Sequence, residues 1–144
     1  MRVLTRSRSL LLLLSLPASA PVPAQAAVHC VNPGGTEGCF ARIQAAIGAA
    51  VNLDTIQIAS GRYPERISML PPNNKSLLIQ GAGAEWTIVD ASGLGPSLES
   101  VFTFQVNPNP GPTVTLSDLT IRGGYRGVNA GRFVNLTLQN LVIR

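Results

Sequence analysis

Charge is scarce in this chain: only 12% of its 144 residues are Asp, Glu, Lys or Arg, and only 5% are aromatic. No cluster of Lys and Arg interleaved with aromatics is present, so the electrostatic footprint of a nucleic-acid-binding protein is missing. There is one histidine, His29, beside two cysteines, which leaves a tetrahedral zinc site one ligand short. No metal ligand set is therefore assigned. The longest apolar run, Leu10–Leu14 followed by Ser15 and Leu16, is too short to cross a bilayer. What is present is 45% hydrophobic residues with 14 Gly and 11 Pro, the composition of one small globular domain. Two large domains, a disordered chain and a collagen-like chain are excluded.

The formal charge of +4 is concentrated at the start, where Arg2, Arg6 and Arg8 precede the apolar run and Pro17 follows it. A basic segment, a short apolar segment and small residues are the three parts of a secretory signal, expected over residues 1–26. An N-terminal membrane anchor is the competing reading. Small residues stand at cleavage spacing in Ala18-Ser19-Ala20 and in Ala24-Gln25-Ala26, and the second gives a mature start at Ala27. Without the leader, eight basic residues face seven acidic ones, so the high pI carries no information about partners. The expected location is secreted, extracellular or at the cell surface, with no membrane association once the leader is gone. In that oxidising setting Cys30 and Cys39, nine apart, are expected to form a local disulfide. His29 ahead of Cys30 argues against lipid attachment at that cysteine.

Phe40, Ile43, Ile47 and Ala50 recur at helical spacing, predicting one amphipathic helix over 39–51, ended by Asn52-Leu53-Asp54. Beyond Asp54 the hydrophobic period changes from 3.6 to 2. Nine short strands are predicted from Thr55 to Arg144, punctuated by Gly and Pro. Val114 to Arg122 can be laid over Leu136 to Arg144 at an offset of 22. Leu77-Leu78-Ile79 likewise matches Leu119-Thr120-Ile121 at twice 21, and Ile56-Gln57-Ile58 at 21, with the middle rung expected near Val101-Phe102. A period of 21 to 22 built from short strands is what a parallel β-helix requires. The fold class is an all-β solenoid with coils over 54–144. In this register Ile58, Ile79, Ile121 and Ile143 form one inward ladder, Leu119 and Leu141 another, and Gln57, Gln80 and Arg122 face outward.

These segments resemble the right-handed parallel β-helix proteins of the pectin-lyase-like (pectate lyase) superfamily. The likeness lies in Ile43 to Ile47, Asp54 to Ile67 with Gly61-Arg62-Tyr63-Pro64-Glu65, Ile79 to Gly83, Thr87 to Asp90, and Leu116 to Gly124. The resemblance implies that the short N-terminal helix caps the open end of the cylinder, covering unpaired backbone and apolar interior. Gly61 and Gly81 are expected at corners that a Cβ would obstruct, and the Tyr63 ring over the first coil with its hydroxyl in water.

A pectate-lyase-like enzyme, by that resemblance, would hold Ca²⁺ on carboxylates outside one sheet with an Arg nearby. Asp118 and Asn140 occupy equivalent places on successive coils, as do Arg122 and Arg144. One carboxylate is too few for Ca²⁺, so the Asx pair is expected to form a hydrogen-bonded ladder. No cofactor is evident, and Ca²⁺ enters only if the activity is lyase-like. Methylesterase-like chemistry would need two close Asp residues with Gln partners; Asp90 and Asp118 lie in different strands, and no Gln-Asp signature accompanies them. Glu65 and Asp90 are expected to be turn and cap residues. Tyr125 and Arg126, after Gly123-Gly124, and Arg122 beside them are the candidates for contact with an acidic sugar. No catalytic residue is assigned.

Arg144 falls in mid-strand directly after a full repeat, so a truncated solenoid, completed by further coils or by self-association, is expected. The functional expectation is the N-terminal part of an enzyme acting on extracellular acidic polysaccharide; the alternative is a non-catalytic glycan-binding or cell-surface module.

Overall fold

The computed structural model describes residues 25–72, 74–95, 99–105 and 109–144. Most of the expected leader lies outside the described residues. Among those described, ten strands and one short helix follow the order β1 (Val28–Val31), α1 (Ile43–Ala49), β2 (Thr55–Ile58), β3 (Gly61–Tyr63), β4 (Ile67–Met69), β5 (Leu77–Gly81), β6 (Thr87–Asp90), β7 (Ser100–Phe104), β8 (Thr113–Arg122), β9 (Arg126–Ala130) and β10 (Asn135–Ile143). Every strand pairing is parallel. The chain winds through three faces per coil, as a parallel β-helix.

The first face stacks β1, β2, β5 and the opening halves of β8 and β10. The second stacks β3, β6 and their closing halves, and the third stacks β4, β7 and β9. Strands β8 and β10 serve two faces because each bends at one residue in the left-handed region, Asp118 at φ 57° and Asn140 at φ 47°. A short Asx side chain tolerates that conformation better than most.

Strand alternation points every second residue inward, so each face contributes a column of apolar side chains. Ile56, Ile79 and Leu116 stack on the first face, Tyr63, Val89 and Ile121 on the second, and Ile67 and Phe102 on the third, all buried. These columns differ in part from the register expected above. Ile56, and not Ile58, lies beside Ile79, and Ile79 lies beside Leu116. Val101 and Phe102 are no middle rung of that face, since they belong to β7 on the third. The reason is unequal coil length. Thr55 pairs with Leu78, 23 residues on, whereas Leu77 pairs with Val114, 37 residues on, because segments before and after β7 lengthen that coil. Only the last step, Ile121 to Ile143, keeps the 22-residue spacing throughout, and it does place Leu119 beside Leu141.

The helix is shorter than the expected 39–51. Disulfide pairing of Cys39 with Cys30, and a parallel bridge between Phe40 and Val31, hold those residues extended beside β1. Helix α1 buries Ile43, Ala46 and Ile47 against β1, β2 and β4 at the end of the cylinder. Seven residues are too few for a stable isolated helix. Both ends are tied to the coils: the Glu65 carboxylate accepts the N–H groups of Ile43 and Gln44 at 2.8 and 3.1 Å, and Lys75 Nζ donates to the carbonyls of Ile47 and Gly48 at 3.0 and 3.2 Å. Tyr63 also departs from expectation. It is fully buried, and its hydroxyl donates to the Ala59 carbonyl at 2.9 Å instead of reaching water.

Candidate functional site

The third face presents its outward side to a groove. Residues Ser68, Thr103 and Asn129 stand in register on β4, β7 and β9, each flanked by inward-facing neighbours, so a strip of hydroxyl and amide groups runs along the cylinder axis. Around this strip Arg66, Glu99, Gln105, Tyr125 and Arg126 rise to enclose about 550 Å³. That volume falls within the usual range for small-ligand sites.

The walls are set by local chain geometry. Gly123, at φ 80°, packs against Ser92 so closely that a Cβ would lie 2.3 Å from the Ser92 nitrogen. This tight turn delivers Tyr125, whose N–H bonds the Glu99 carbonyl at 3.1 Å and whose ring is left exposed. The Arg126 guanidinium lies 5.7 Å from the centre of that ring, a cation–π separation that leaves its fork free for an anion. On the opposite wall Arg66 is pinned by bonds from its terminal nitrogens to the carbonyls of Leu94 and Gly95 at 3.2 and 3.3 Å. Its Nε is buried without a hydrogen-bond partner among the described residues, and Glu99 is 4.0 Å away. Gln44 of the cap helix bonds both the N–H and the carbonyl of Ser68, so the groove's first strand is braced by the helix.

Of the three sugar-contact candidates, Tyr125 and Arg126 line this groove and Arg122 does not. Arg122 sits at the end of the second face, its Nε 2.6 Å from Asp90 Oδ2; Arg62 reaches the same oxygen at 2.6 Å. Burial alone would raise the Asp90 pKa, but bonds from the Ser92 hydroxyl and N–H and from Arg122 outweigh it and hold the carboxyl well below its ordinary range. Two arginines thus share one carboxylate, which leaves the cluster with a net charge of +1 outside the groove.

The Asp118–Asn140 pair lies at the bend between the first and second faces, away from the groove. Asn140 Nδ2 donates to one carboxylate oxygen at 2.7 Å and Gln80 Nε2 to the other at 3.1 Å. Those bonds, Asn140's first, lower the Asp118 pKa. Both amides turn their N–H groups toward the carboxylate, an arrangement that satisfies an anion and repels a cation. The residues do not fit Ca²⁺, and among the described residues no group of three or more His, Cys, Asp or Glu could hold a metal.

Arg66, Glu99 and the Ser68-Thr103-Asn129 strip were not recognised in the sequence. The signal available was the apolar–polar–apolar triplets Ile67-Ser68-Met69, Phe102-Thr103-Phe104 and Val128-Asn129-Ala130. Their spacings of 35 and 26 residues hid them from a search for one period.

No protein-family model matches the chain, and no curated protein matches it in sequence. Solved structures do. A pectin methylesterase variant crystallised in complex with a hexasaccharide matches at TM-score 0.50 and 22% identity, over 69% of this chain and 31% of its own. Pectin methylesterase PemA from Erwinia chrysanthemi matches at TM-score 0.53 and 14% identity, over 85% of this chain and 46% of its own. The chain thus spans less than half the length of either. At these identities the likeness is one of fold, and this chain shares the parallel β-helix of both neighbours.

Proposed function

We propose that the chain supplies the N-terminal coils of a secreted protein acting on an acidic, pectin-type polysaccharide, and that the groove over β4, β7 and β9 receives the uronate chain. The observation that carries this reading is the groove's chemistry: the Arg126 guanidinium and an exposed tyrosine ring stand beside a floor of Ser68, Thr103 and Asn129, with Arg66, held by backbone carbonyls, adding positive charge to the lining. Guanidinium forks suit carboxylates, hydroxyl and amide side chains suit sugar hydroxyls, and an aromatic face suits the apolar side of a pyranose. The structural likeness to two pectin methylesterases, one of them in complex with a hexasaccharide, supports the substrate class.

One observation favours a second reading, a non-catalytic glycan-binding module. Among the described residues Glu99 is the one carboxylate lining the groove, and ester hydrolysis, elimination and glycoside hydrolysis by acid–base residues each ask for a pair of proton-handling groups. In the enzymatic reading the reacting groups come from elsewhere in a longer protein, and these coils bind and orient.

Calorimetric titration with de-esterified oligogalacturonate tests the binding claim. Saturable binding, weakened at least about tenfold by Arg126→Ala and weakened also by added salt, is expected, since a lost charge-assisted bond is worth about 1.5–3 kcal/mol. Absence of binding, or an unchanged affinity in Arg126→Ala, would overturn the groove assignment. Release of methanol or of an unsaturated uronate from pectin separates the enzymatic reading from the binding one.

A further inference from the structure

The first described strand begins on a buried acid. The Ala27 nitrogen lies 2.7 Å from Asp54 Oδ1, while Oδ2 of the same carboxylate accepts the Val51 N–H at 2.7 Å and stands 2.8 Å from His29 Nε2. Asp54 is 1% exposed. The Ala27 carbonyl in turn accepts the Thr55 N–H at 2.8 Å, so Ala27 is fixed on both sides by the start of β2. Gln25 and Ala26 precede the first strand and are exposed, as Ala27 itself is, so the cut bond and the Ala27 nitrogen lie at the surface over the buried carboxylate.

In an uncut chain Ala27 offers Asp54 one neutral N–H. A buried carboxylate is better served by a full positive charge, because desolvation of the anion is offset far more by a cation than by an amide dipole. Hydrolysis of the Ala26–Ala27 bond supplies that cation at the same point. Water adds its hydroxyl to the Ala26 carbonyl carbon and its hydrogen to the Ala27 nitrogen; the new Ala26 carboxyl then ionises, and the amine takes up a proton. Cleavage after Ala20 would leave six residues ahead of Ala27 and place no charge at Asp54.

We propose that a leader peptidase cuts between Ala26 and Ala27 and that Asp54 is the receptor for the new α-ammonium, so that maturation turns a neutral hydrogen bond to a buried carboxylate into an ion pair. The proposal rests on the expected leader and is independent of the groove. Asp54 is ionised throughout the neutral range: the Val51 and Ala27 N–H groups, then His29, pull its pKa down to about 2. His29 is the one titratable side chain bonded to it. Other charges nearby are engaged elsewhere, Lys75 on the carbonyls closing α1 and Glu65 on the N–H groups that open it. The ammonium's partner raises its pKa above the ordinary ~7.7–8.0 of an α-amine. By linkage, its stabilising effect is complete below about pH 8 and is lost as pH rises through the raised value.

The test is to express the chain with its own leader in a secreting host, determine the N-terminal residue by intact mass, and measure acylation of the α-amine at pH 8. A start at Ala27, with acylation at least tenfold slower than in Asp54→Asn, is expected. A start at any other residue overturns the cleavage; a start at Ala27 with an amine as reactive as in Asp54→Asn overturns the receptor. Should Asp54→Asn fail to fold, a chain with one glycine added ahead of Ala27 keeps the Ala27 N–H on Asp54 while moving the charge away. Its amine should react as an ordinary peptide amine and its alkaline loss of stability should vanish. Behaviour identical to the native start would overturn the proposal.

Discussion

Asn140 and Asp118 hold the same left-handed backbone at the same point of adjacent coils, and Asn140 Nδ2 donates to Asp118 Oδ1 across 2.7 Å. The bond stacks the two corners, and the corners fix where β8 and β10 pass from one face to the next. Gln80 extends the row on the other side, so one carboxylate is held between two amides from neighbouring coils. Each bend is thus registered by its neighbours as well as by its own backbone preference.

Replacing the amide with an acid should reverse that arrangement. In Asn140→Asp two carboxylates face each other within bonding distance, and the pair can be accommodated only by sharing a proton, which raises one pKa. The variant should melt several degrees below the native protein at neutral pH and recover much of the difference as pH falls toward the carboxylate range. Melting curves across that interval check it; a deficit independent of pH would show that geometry, not charge, set the choice of Asn.

What the sequence revealed depended on where the coils are regular. The offset of 22 that lays 114–122 over 136–144 was legible because only short turns interrupt that coil, and the observed pairing of 113–121 with 135–143 keeps it. The stacking of Ile56 on Ile79 was read two residues out of step, and Val101-Phe102 was put on the wrong face, because one coil is lengthened where no periodicity signals it. Tyr125 and Arg126 could be found as an aromatic and a cation after a Gly-Gly turn. Arg66 and the polar strip could not, since long-range stacking alone brings them together. Nor could the place of Arg122 outside the groove be read, since its partner Asp90 lies 32 residues away.

Two glycines should respond oppositely to the same methyl group. At Gly81 a Cβ would sit 2.2 Å from the Asp118 backbone oxygen, which cannot move without disturbing the bend. Gly81→Ala should cost at least about 1–3 kcal/mol, the usual penalty of overpacking. At Gly48, inside α1, nothing lies within 4 Å of the added atom. Gly48→Ala should stabilise by about 0.5–1 kcal/mol through helix propensity. Denaturant unfolding of both variants gives the two signs directly.

Removal of the Glu65 carboxylate should release the cap helix. Two N–H groups at the start of α1 have that side chain as their acceptor, and the helix has no capping bond from its own Arg42. Glu65→Ala should cost about 1–2 kcal/mol, at the upper end of N-cap losses. Amide exchange at Ile43 and Gln44 should accelerate more than exchange in β8. Equal acceleration everywhere would mean that cap and coils unfold as one unit.

Acid should expose the Asp90 cluster. Its carboxyl sits below the ordinary value of 3.8 despite the opposing effect of burial, because Ser92 and Arg122 bond the ionised form. A carboxylate depressed in the folded state stabilises fully above its unfolded pKa and loses that contribution as pH falls through the folded one. The native protein should therefore lose stability from this source only below about pH 4. Asp90→Asn keeps an oxygen for Ser92 but gives up the charge that faces Arg62 and Arg122. Its melting temperature should lie below the native value at pH 6, and the gap should narrow as pH falls below about 4, where the unfolded carboxyl takes up its proton while the folded one stays ionised. Parallel curves over the whole range would show that attraction to the two arginines contributes nothing, and that Asp90 is held for its shape and its bonds to Ser92.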